Sequence, residues 1–197
     1  MTHFYMARFH ACDNVGASEK ILESRKMKTR GIFVDEIAVV RSSTSLQWTD
    51  ANLVSKEALA RLELFNSHFN SHPGLRKHFK NAENPFWRTL VLNTLSFTDA
   101  RYGWKRRGVV EQGLDIVERT FTDGSSSTAF FDFSEASRNL QWQSFFITRS
   151  GYIGAGPQNA QPGDKIYVLL GGRMLIIVRP EGKDDEVGGP YTFIGGT

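Results

Sequence analysis

The sequence predicts an α+β fold in which three to four helices pack on an antiparallel sheet, or a small barrel, built from C-terminal hairpins. The first observation is that residues 166–170 and 174–178 are apolar runs separated by Gly171-Gly172-Arg173. Short runs rich in Ile, Val and Leu around a Gly-Gly turn are typical of paired strands buried on both faces. The second observation is a helical spacing of apolar residues after Asp50, and the third is a similar spacing after Pro85.

The N-terminal part, residues 1–45, is predicted to form strands. Its strongest signal is GIFVDEIAVV at residues 31–40, where most positions hold a β-branched or aromatic side chain. Asp35-Glu36 interrupts this apolar run, so we expect the strand to end or bulge there. Residues 21–28 alternate weakly between apolar and polar side chains, and we expect them to form a hairpin with residues 31–40.

Residues 46–142 are predicted to form a helical layer. Asp50 is a candidate N-cap, and Pro73-Gly74 ends the first helix. The apolar face of this helix recurs at three- and four-residue steps, through Val54, Ala58, Leu62, Phe65 and Phe69. Pro85 suits the first turn of a second helix. The apolar stripe of that helix comprises Phe86, Trp87, Leu90, Val91 and Leu95.

Two further helices complete the predicted layer, over residues 109–121 and near residues 136–142. Residues 101–107 are interpreted as a basic, aromatic connector between helices. Residues 143–197 then form the hairpin layer, which closes with a strand at 190–196. We expect these layers to make a single domain over residues 1–197.

Composition excludes several classes of protein. A net charge of +3 is too small to indicate nucleic-acid binding, which is therefore not expected. The single Cys12 rules out an internal disulfide framework and favours a reducing compartment. The sequence has neither a membrane-length apolar stretch nor an N-terminal signal peptide, so we expect a cytoplasmic protein without a membrane partner.

Four segments in this order resemble the C-terminal half of fungal heterokaryon-incompatibility (HET) proteins. They are GIFVDEIAVV at 31–40, NPFWRTLVLN at 84–93, FFITRSGYIGAGP at 145–157 and QPGDKIYVLLGGRMLIIVRP at 161–180. The resemblance implies an accessory module that ordinarily follows a separate HET domain, for which residues 1–30 leave no room. In the family the pattern tends to continue past the last strand, whereas this sequence stops at Thr197. The resemblance supplies no catalytic residues.

Histidine and cysteine positions are the first candidates for chemistry. His68 and His72 lie four residues apart on one face of the first predicted helix, within reach of a metal ion, and His78 follows. The zincin pattern needs Glu where Phe69 stands, so exposed histidines at a helix end are the favoured interpretation. His10, Cys12 and Asp13 lack an orienting group, and a partly buried cysteine is the simpler reading.

Three other patterns are candidates for function: a glycine-rich segment, a basic run and a set of acidic residues. Residues 151–156 hold glycines that superficially suggest a dinucleotide loop, but Pro157 and Pro162-Gly163 follow instead of a helix, so we interpret them as turn glycines. Lys105-Arg106-Arg107 is interpreted as a solvated basic run rather than a nucleic-acid contact. A helix surface explains the acidic residues Glu111, Asp115 and Glu118. We therefore predict no catalytic, cofactor-binding or metal-binding residues.

The favoured function is a non-enzymatic interaction module that binds a protein partner or self-associates. The abundance of aromatic residues, fifteen Phe and four Trp, suits an interface. The alternative is a small enzyme or accessory factor from a fungal specialised-metabolite gene cluster, which would need an apolar pocket with convergent polar groups. The sequence identifies no small-molecule ligand.

Overall fold

The computed structural model describes residues 21–23, 26–28, 30–42, 51–79, 85–90, 94–99, 103–108, 142–170, 174–181 and 190–196. The N-terminal strands are β1 (Ile21–Glu23), β2 (Lys26–Lys28) and β3 (Gly31–Arg41). Helix α1 (Ala51–Ser71), a 3-10 helix (Pro73–Phe79) and helix α2 (Pro85–Leu90) come next. The remaining strands are β4 (Thr94–Asp99), β5 (Gly103–Gly108), β6 (Gln143–Thr148), β7 (Ile153–Pro157), β8 (Lys165–Leu169), β9 (Leu175–Pro180) and β10 (Tyr191–Gly196).

Six of these strands form one antiparallel sheet in the order β10-β9-β8-β3-β6-β7. The sheet curls into a half-barrel, because Gly195 of β10 packs directly against the ring of Pro157 in β7, at the opposite edge of the strand order. A side chain at position 195 would overlap that ring, so glycine permits the close approach. Two small hairpins, β1-β2 and β4-β5, are separate sheets.

Strand β3 is the centre of the sheet and holds its two halves together. Its first part pairs with β8 and its last part with β6, with register shifts after Phe33 and after Ile37. At Ile37 the loop before β8 continues the pairing: Ile37 N donates to Asp164 O at 2.8 Å, and Gly163 N donates to Ile37 O at 2.9 Å. The predicted bulge near Asp35-Glu36 is confirmed.

The described core has two parts, one on each face of β6. The inner part lies within the half-barrel, and its buried residues are Ile37, Phe146, Ala160, Ile166 and Ile177. The outer part lies between the sheet and the helices, and it comprises Val54, Ala58, Phe69, Phe86, Trp87, Leu90, Phe145 and Ile147. Because alternate residues of a strand face opposite sides, Phe145 and Ile147 pack on the helices and Phe146 points into the half-barrel.

The predicted fold class is wrong. The described structure is mostly β, a six-stranded antiparallel half-barrel with two α-helices rather than a layer of three to four helices on a sheet. Helix α2 ends at Leu90, and the predicted apolar stripe that continued to Leu95 enters strand β4. The segment TLSFTD alternates polar and apolar residues, which is the period of a strand. The predicted connector contains β5, which pairs with β4 from end to end.

Other expectations have mixed outcomes. Helix α1 is confirmed, and so are the hairpins β6-β7 and β8-β9 and the last strand β10. The predicted hairpin of residues 21–28 with 31–40 is wrong, because β1 pairs with β2. The predicted third and fourth helices, apart from Trp142, and the Gly171-Gly172-Arg173 turn lie outside the described residues. Neither described α-helix is long and apolar enough to cross a membrane.

Candidate functional site

The outer face of the half-barrel is divided into a covered part and an exposed part. Helices α1 and α2 cover β6 through Phe145 and Ile147, and Phe86 of α2 meets Phe145 with 5.6 Å between ring centroids. Strands β8 and β10 lie on the other side of β3, and residues 167–169 of β8 and all of β10 are only partly buried or exposed. The exposed part is therefore the place to look for a surface that contacts another molecule.

Four aromatic residues lie on this exposed part, on strands β3, β8 and β10, with β9 between the last two strands. We call them the aromatic row: Phe33, Tyr167, Tyr191 and Phe193. Phe33 meets Tyr167 edge to face, with ring centroids 5.5 Å apart. Tyr167 and Tyr191 are 5.8 Å apart between centroids. Phe193 lies two residues after Tyr191, so it shares the same side of β10. Phe33 is 51% exposed and Phe193 is 65% exposed.

The two tyrosine hydroxyls lie together at the middle of the row. Their oxygens are 3.2 Å apart, a hydrogen-bond distance in which either can be the donor. Burial, followed by the hydrogen bond and the charge interaction with Tyr191, raises the pKa of Tyr167 to about 12. The Tyr167 side chain is therefore uncharged at physiological pH. The row is an apolar surface with hydroxyl groups at its centre, which suits a protein contact.

An ion pair fixes the loop that leads into β8. Asp164 is buried and accepts two hydrogen bonds from Arg179 of β9, at 2.8 and 3.0 Å, and one from Gln161 N at 2.8 Å. The hydrogen bond with Asp164 raises the pKa of Arg179. Arg179 also donates to Asn159 O at 2.8 Å. All of these donors are satisfied by the chain, so this pair stabilises the loop rather than presenting a free charge.

A second carboxylate, Asp35 of β3, holds the β6-β7 turn against that strand. Asp35 is buried, and it accepts hydrogen bonds from Glu36 N at 2.8 Å and Ser150 N at 3.1 Å. The turn residue Gly151 has φ of +90°, and a Cβ at this position would lie 2.7 Å from Cβ of Leu75. The turn therefore needs glycine both for its backbone conformation and for its contact with the 3-10 helix.

A buried charge cluster joins α1 to the sheet. Glu57 accepts hydrogen bonds from Arg41 of β3 at 3.1 and 2.9 Å and from Arg61 of α1 at 3.0 Å. Arg61 also donates to Gln143 O of β6 at 2.8 Å. Burial is the largest influence on Arg61 and lowers the pKa of its guanidinium, against the opposing effect of Glu57. These contacts connect β3, α1 and β6, so the cluster is part of the scaffold beneath the covered part of the outer face.

The structure brings together one pair of the histidines considered above. His68 and His72 stack with ring centroids 4.7 Å apart, near the end of α1. No third His, Cys, Asp or Glu joins them within the described residues. The side chain of His78 lies outside those residues, as do His10, Cys12 and Asp13.

The interpretation of residues 151–156 as turn glycines needs a correction. Gly151 lies in a turn, but Gly154 and Gly156 lie within strand β7. A Cβ on Gly154 would overlap the ring of Phe146, and one on Gly156 would lie 2.8 Å from Cδ1 of Ile177. These two glycines make room for core side chains. No helix begins in the described segment 151–157, so the arrangement is not a dinucleotide loop.

The basic run and the acidic residues complete the list of candidates. Lys105-Arg106-Arg107 lies in β5 opposite Ser96 and its neighbours in β4, and its side chains lie outside the described structure. Glu111, Asp115 and Glu118 also lie outside it.

Sequence reasoning missed the aromatic row. It treated residues 166–170 as buried on both faces, whereas Ile166 is buried and Tyr167 is only partly so. The sequence does contain a signal that one face of β8 is near water. A tyrosine, Tyr167, stands between Ile166 and Val168, and a tyrosine hydroxyl prefers a site near water. The pairing of β3 with β8 brings Phe33 next to Tyr167. That pairing joins residues more than a hundred positions apart, and local patterns do not specify it.

These features define an antiparallel β-barrel domain with a helical cover on part of its outer face. Residues 75–197, more than half of the chain, match the family model of the Het-6 beta-barrel domain. The chain belongs to this family, which confirms the resemblance to heterokaryon-incompatibility proteins.

A curated relative gives the family context. The chain is 40% identical over 50 residues to heterokaryon incompatibility protein 6, OR allele, of Neurospora crassa. That alignment covers 25% of this chain and 7% of the Neurospora protein, so the chain matches a small part of a much longer relative. No solved structure matches the chain significantly.

Proposed function

We propose that this chain is a non-enzymatic interaction module of the heterokaryon-incompatibility type, and that the aromatic row is its contact surface. The observation that carries the proposal is the exposure of Phe33 and Phe193 on a sheet face whose other half is covered by helices. Large aromatic side chains left partly in water on a rigid sheet are typical of surfaces that bind other proteins.

The chemistry of the row supports a protein partner. Its two outer members are apolar phenylalanines, and its two inner members present hydroxyls 3.2 Å apart. Such a surface favours burial against another apolar face with one or two central hydrogen bonds. Its backbone is held by the pairing of β3 with β8, of β8 with β9 and of β9 with β10, with register shifts directly after Phe33 and after Phe193. A surface of this kind orders few side chains on binding, which lowers the entropic cost of association.

The partner to which we commit is a HET domain carried by another segment or chain. The Neurospora relative supports this choice, because the region it shares with this chain is only 7% of its length and so lies beside much other sequence. In the simplest arrangement, the barrel docks on the HET domain through the aromatic row. The competing outcome is self-association through the same row. Sedimentation velocity of the chain alone distinguishes it from binding to a HET domain.

The test compares two variants that differ in position but not in type of side chain. Phe193→Ser removes one end of the aromatic row. Trp142→Ser is the matched control, because Trp142 is also 65% exposed but precedes β6, away from the row. A purified HET domain is titrated into each protein by calorimetry, and sedimentation velocity reports self-association.

We expect Phe193→Ser to weaken HET-domain binding about tenfold or more, as truncation of a large aromatic contact residue can, and Trp142→Ser to leave it unchanged. Equal effects of the two substitutions would assign the contact to another surface. We take a concentration of roughly 100 micromolar as the weak limit of specific association. The proposal would be overturned if, at that concentration, the chain stayed monomeric and gave no heat with the HET domain.

A further inference from the structure

The end of α1 contains a histidine pair that neither the aromatic row nor the scaffold explains. The rings of His68 and His72 stack at 4.7 Å with an interplanar angle of 28°, and His68 also meets Phe69 edge to face at 5.4 Å. His72 Nδ1 donates to His68 O at 3.0 Å, which places the proton of a neutral His72 on Nδ1. His68 Nε2 is buried and has no hydrogen-bond partner.

We propose that this pair makes the junction between the helical layer and the half-barrel sensitive to mildly acidic pH. Protonation of His68 would loosen the end of α1 and, with it, the 3-10 helix and the β6-β7 turn that rests on it.

The surroundings of His68 disfavour its charged form. The charged imidazole carries an N–H on both ring nitrogens, and among the described residues Nε2 has no acceptor. On α1 the neighbouring titratable group is His72, whose charge would repel that of His68. On the 3-10 helix, Arg76 and Lys77 are exposed cations, and Arg76 donates to Asn70 at 3.0 Å. Among the described carboxylates none forms an ion pair with His68. Desolvation, and then His72, lower the pKa of His68.

The helix end offers little compensation for a charge on His68. A cation near a helix C-terminus gains typically about 0.3–1 kcal/mol from unsatisfied carbonyl groups. Here the carbonyl of His68 already accepts the N–H of His72 at 3.0 Å, and the carbonyl of His72 accepts the N–H of Leu75 at 3.0 Å. The favourable effect of the helix end is therefore reduced, and desolvation decides the direction.

The same hydrogen bonds connect His72 to the half-barrel. The N–H of Leu75 is bonded to the His72 carbonyl, so movement of that carbonyl reaches the 3-10 helix. Leu75 in turn lies against Gly151 of the β6-β7 turn. Opening at the histidines would therefore expose the backbone N–H groups of Leu75 and Gly151 to exchange. In the closed structure the N–H of Gly151 donates to Thr148 O at 3.0 Å.

The direction of the pH effect follows from the two states of His68. In the opened chain His68 has an ordinary pKa of about 6.5. In the closed structure it binds its proton only at lower pH, so the open form takes up more protons as the pH falls below about 6.5. The equilibrium constant for opening is then at most about thirtyfold larger at pH 5.0 than at neutral pH. This upper limit applies if His68 stays unprotonated in the closed form.

Amide hydrogen exchange on the whole chain tests the proposal, with rates corrected for the intrinsic effect of pH. We expect exchange at Leu75 and Gly151 to accelerate several-fold from pH 7.5 to 5.0. His68→Phe keeps a flat ring in the stack without a titrating group, and it should remove this acceleration. The proposal would be overturned if exchange in His68→Phe accelerated as much as in the parent. It would also be overturned if His72→Gln were the one variant of the two that removed the acceleration.

A second measurement needs no variant. The His68 imidazole signals of the native protein are followed by NMR as the pH is lowered, in the presence of a chelator. A midpoint below about 6.5 is expected from the buried site, and a midpoint at or above that value would overturn the proposal even if His68→Phe fails to fold.

Discussion

Removal of the Glu57 carboxylate tests the buried charge cluster directly. Glu57→Ala deletes the shared partner of Arg41 and Arg61 and leaves the latter enclosed, since the Arg61 side chain is only 3% exposed. The hydrogen bond from Arg61 to Gln143 O is neutral on the acceptor side and does not replace the lost carboxylate. Loss of one member of a buried ion pair costs about 3–5 kcal/mol, because a buried charge is left uncompensated.

The other arginine provides the control. The Arg41 side chain is 39% exposed, and its loss leaves Glu57 still bonded to Arg61. Exposed or half-exposed ion pairs contribute about 0–1 kcal/mol, so Arg41→Ala should have a small effect. A double variant, Glu57→Leu with Arg61→Leu, should be destabilised less than Glu57→Ala, since it removes both charges and keeps apolar volume.

Urea denaturation followed by circular dichroism measures all three variants. With a urea m value of about 2 kcal/mol/M, Glu57→Ala should lower the midpoint by about 1.5–2.5 M, and Arg41→Ala by less than about 0.5 M. The m values should be unchanged if the same surface unfolds. Equal midpoints for Glu57→Ala and Arg41→Ala would refute the reasoning, because the position of the charge in the buried network would then not matter.

Three other changes test the packing of the sheet and the extent of the folded unit. Gly154→Val should destabilise the protein by about 1–3 kcal/mol, because the new side chain overlaps a core ring, and a melting temperature equal to that of the parent would contradict this contact. Trp87→Ala should cost about 3–5 kcal/mol, as expected for an indole that is 3% exposed, whereas solvent-like Trp87 fluorescence in the native protein would contradict its burial. A chain of residues 75–197 should lose cooperative unfolding, because it lacks β3; a sharp calorimetric transition for that fragment would show that the sheet forms without the strand.

Local patterns predicted the elements whose stability comes from their own neighbours in sequence. The apolar face of α1 was correct because Val54, Ala58 and Phe69 share one side of a helix and are fully buried. The β3 bulge was also predicted, since Asp35-Glu36 breaks an apolar run. In the structure, Asp35 turns inward to bond the backbone of Ser150, so the interruption has a definite structural role.

The failures occurred where a strand partner or a packing contact, rather than the local periodicity, decides the structure. Leu95 fits a helical stripe that begins at Phe86, but the strand partner of residues 94–99 at 103–108 overrides that stripe. Gly154 resembles a turn residue until the ring of Phe146 is placed over it. The end of the second predicted helix was wrong for the first of these reasons, and the aromatic row was missed because it is assembled across three strands.

The position of β3 determines how much of the chain makes up the working unit. The family match begins at residue 75, yet β3 precedes that point and lies between β8 and β6 in the sheet. Without β3 the described sheet would separate into a β10-β9-β8 piece and a β6-β7 piece, since no other described strand pairs with both. Strand β3 also contributes Phe33 to the aromatic row and Arg41 to the buried charge cluster. The half-barrel, its attachment to α1 and its candidate contact surface therefore all depend on a strand upstream of the matched region.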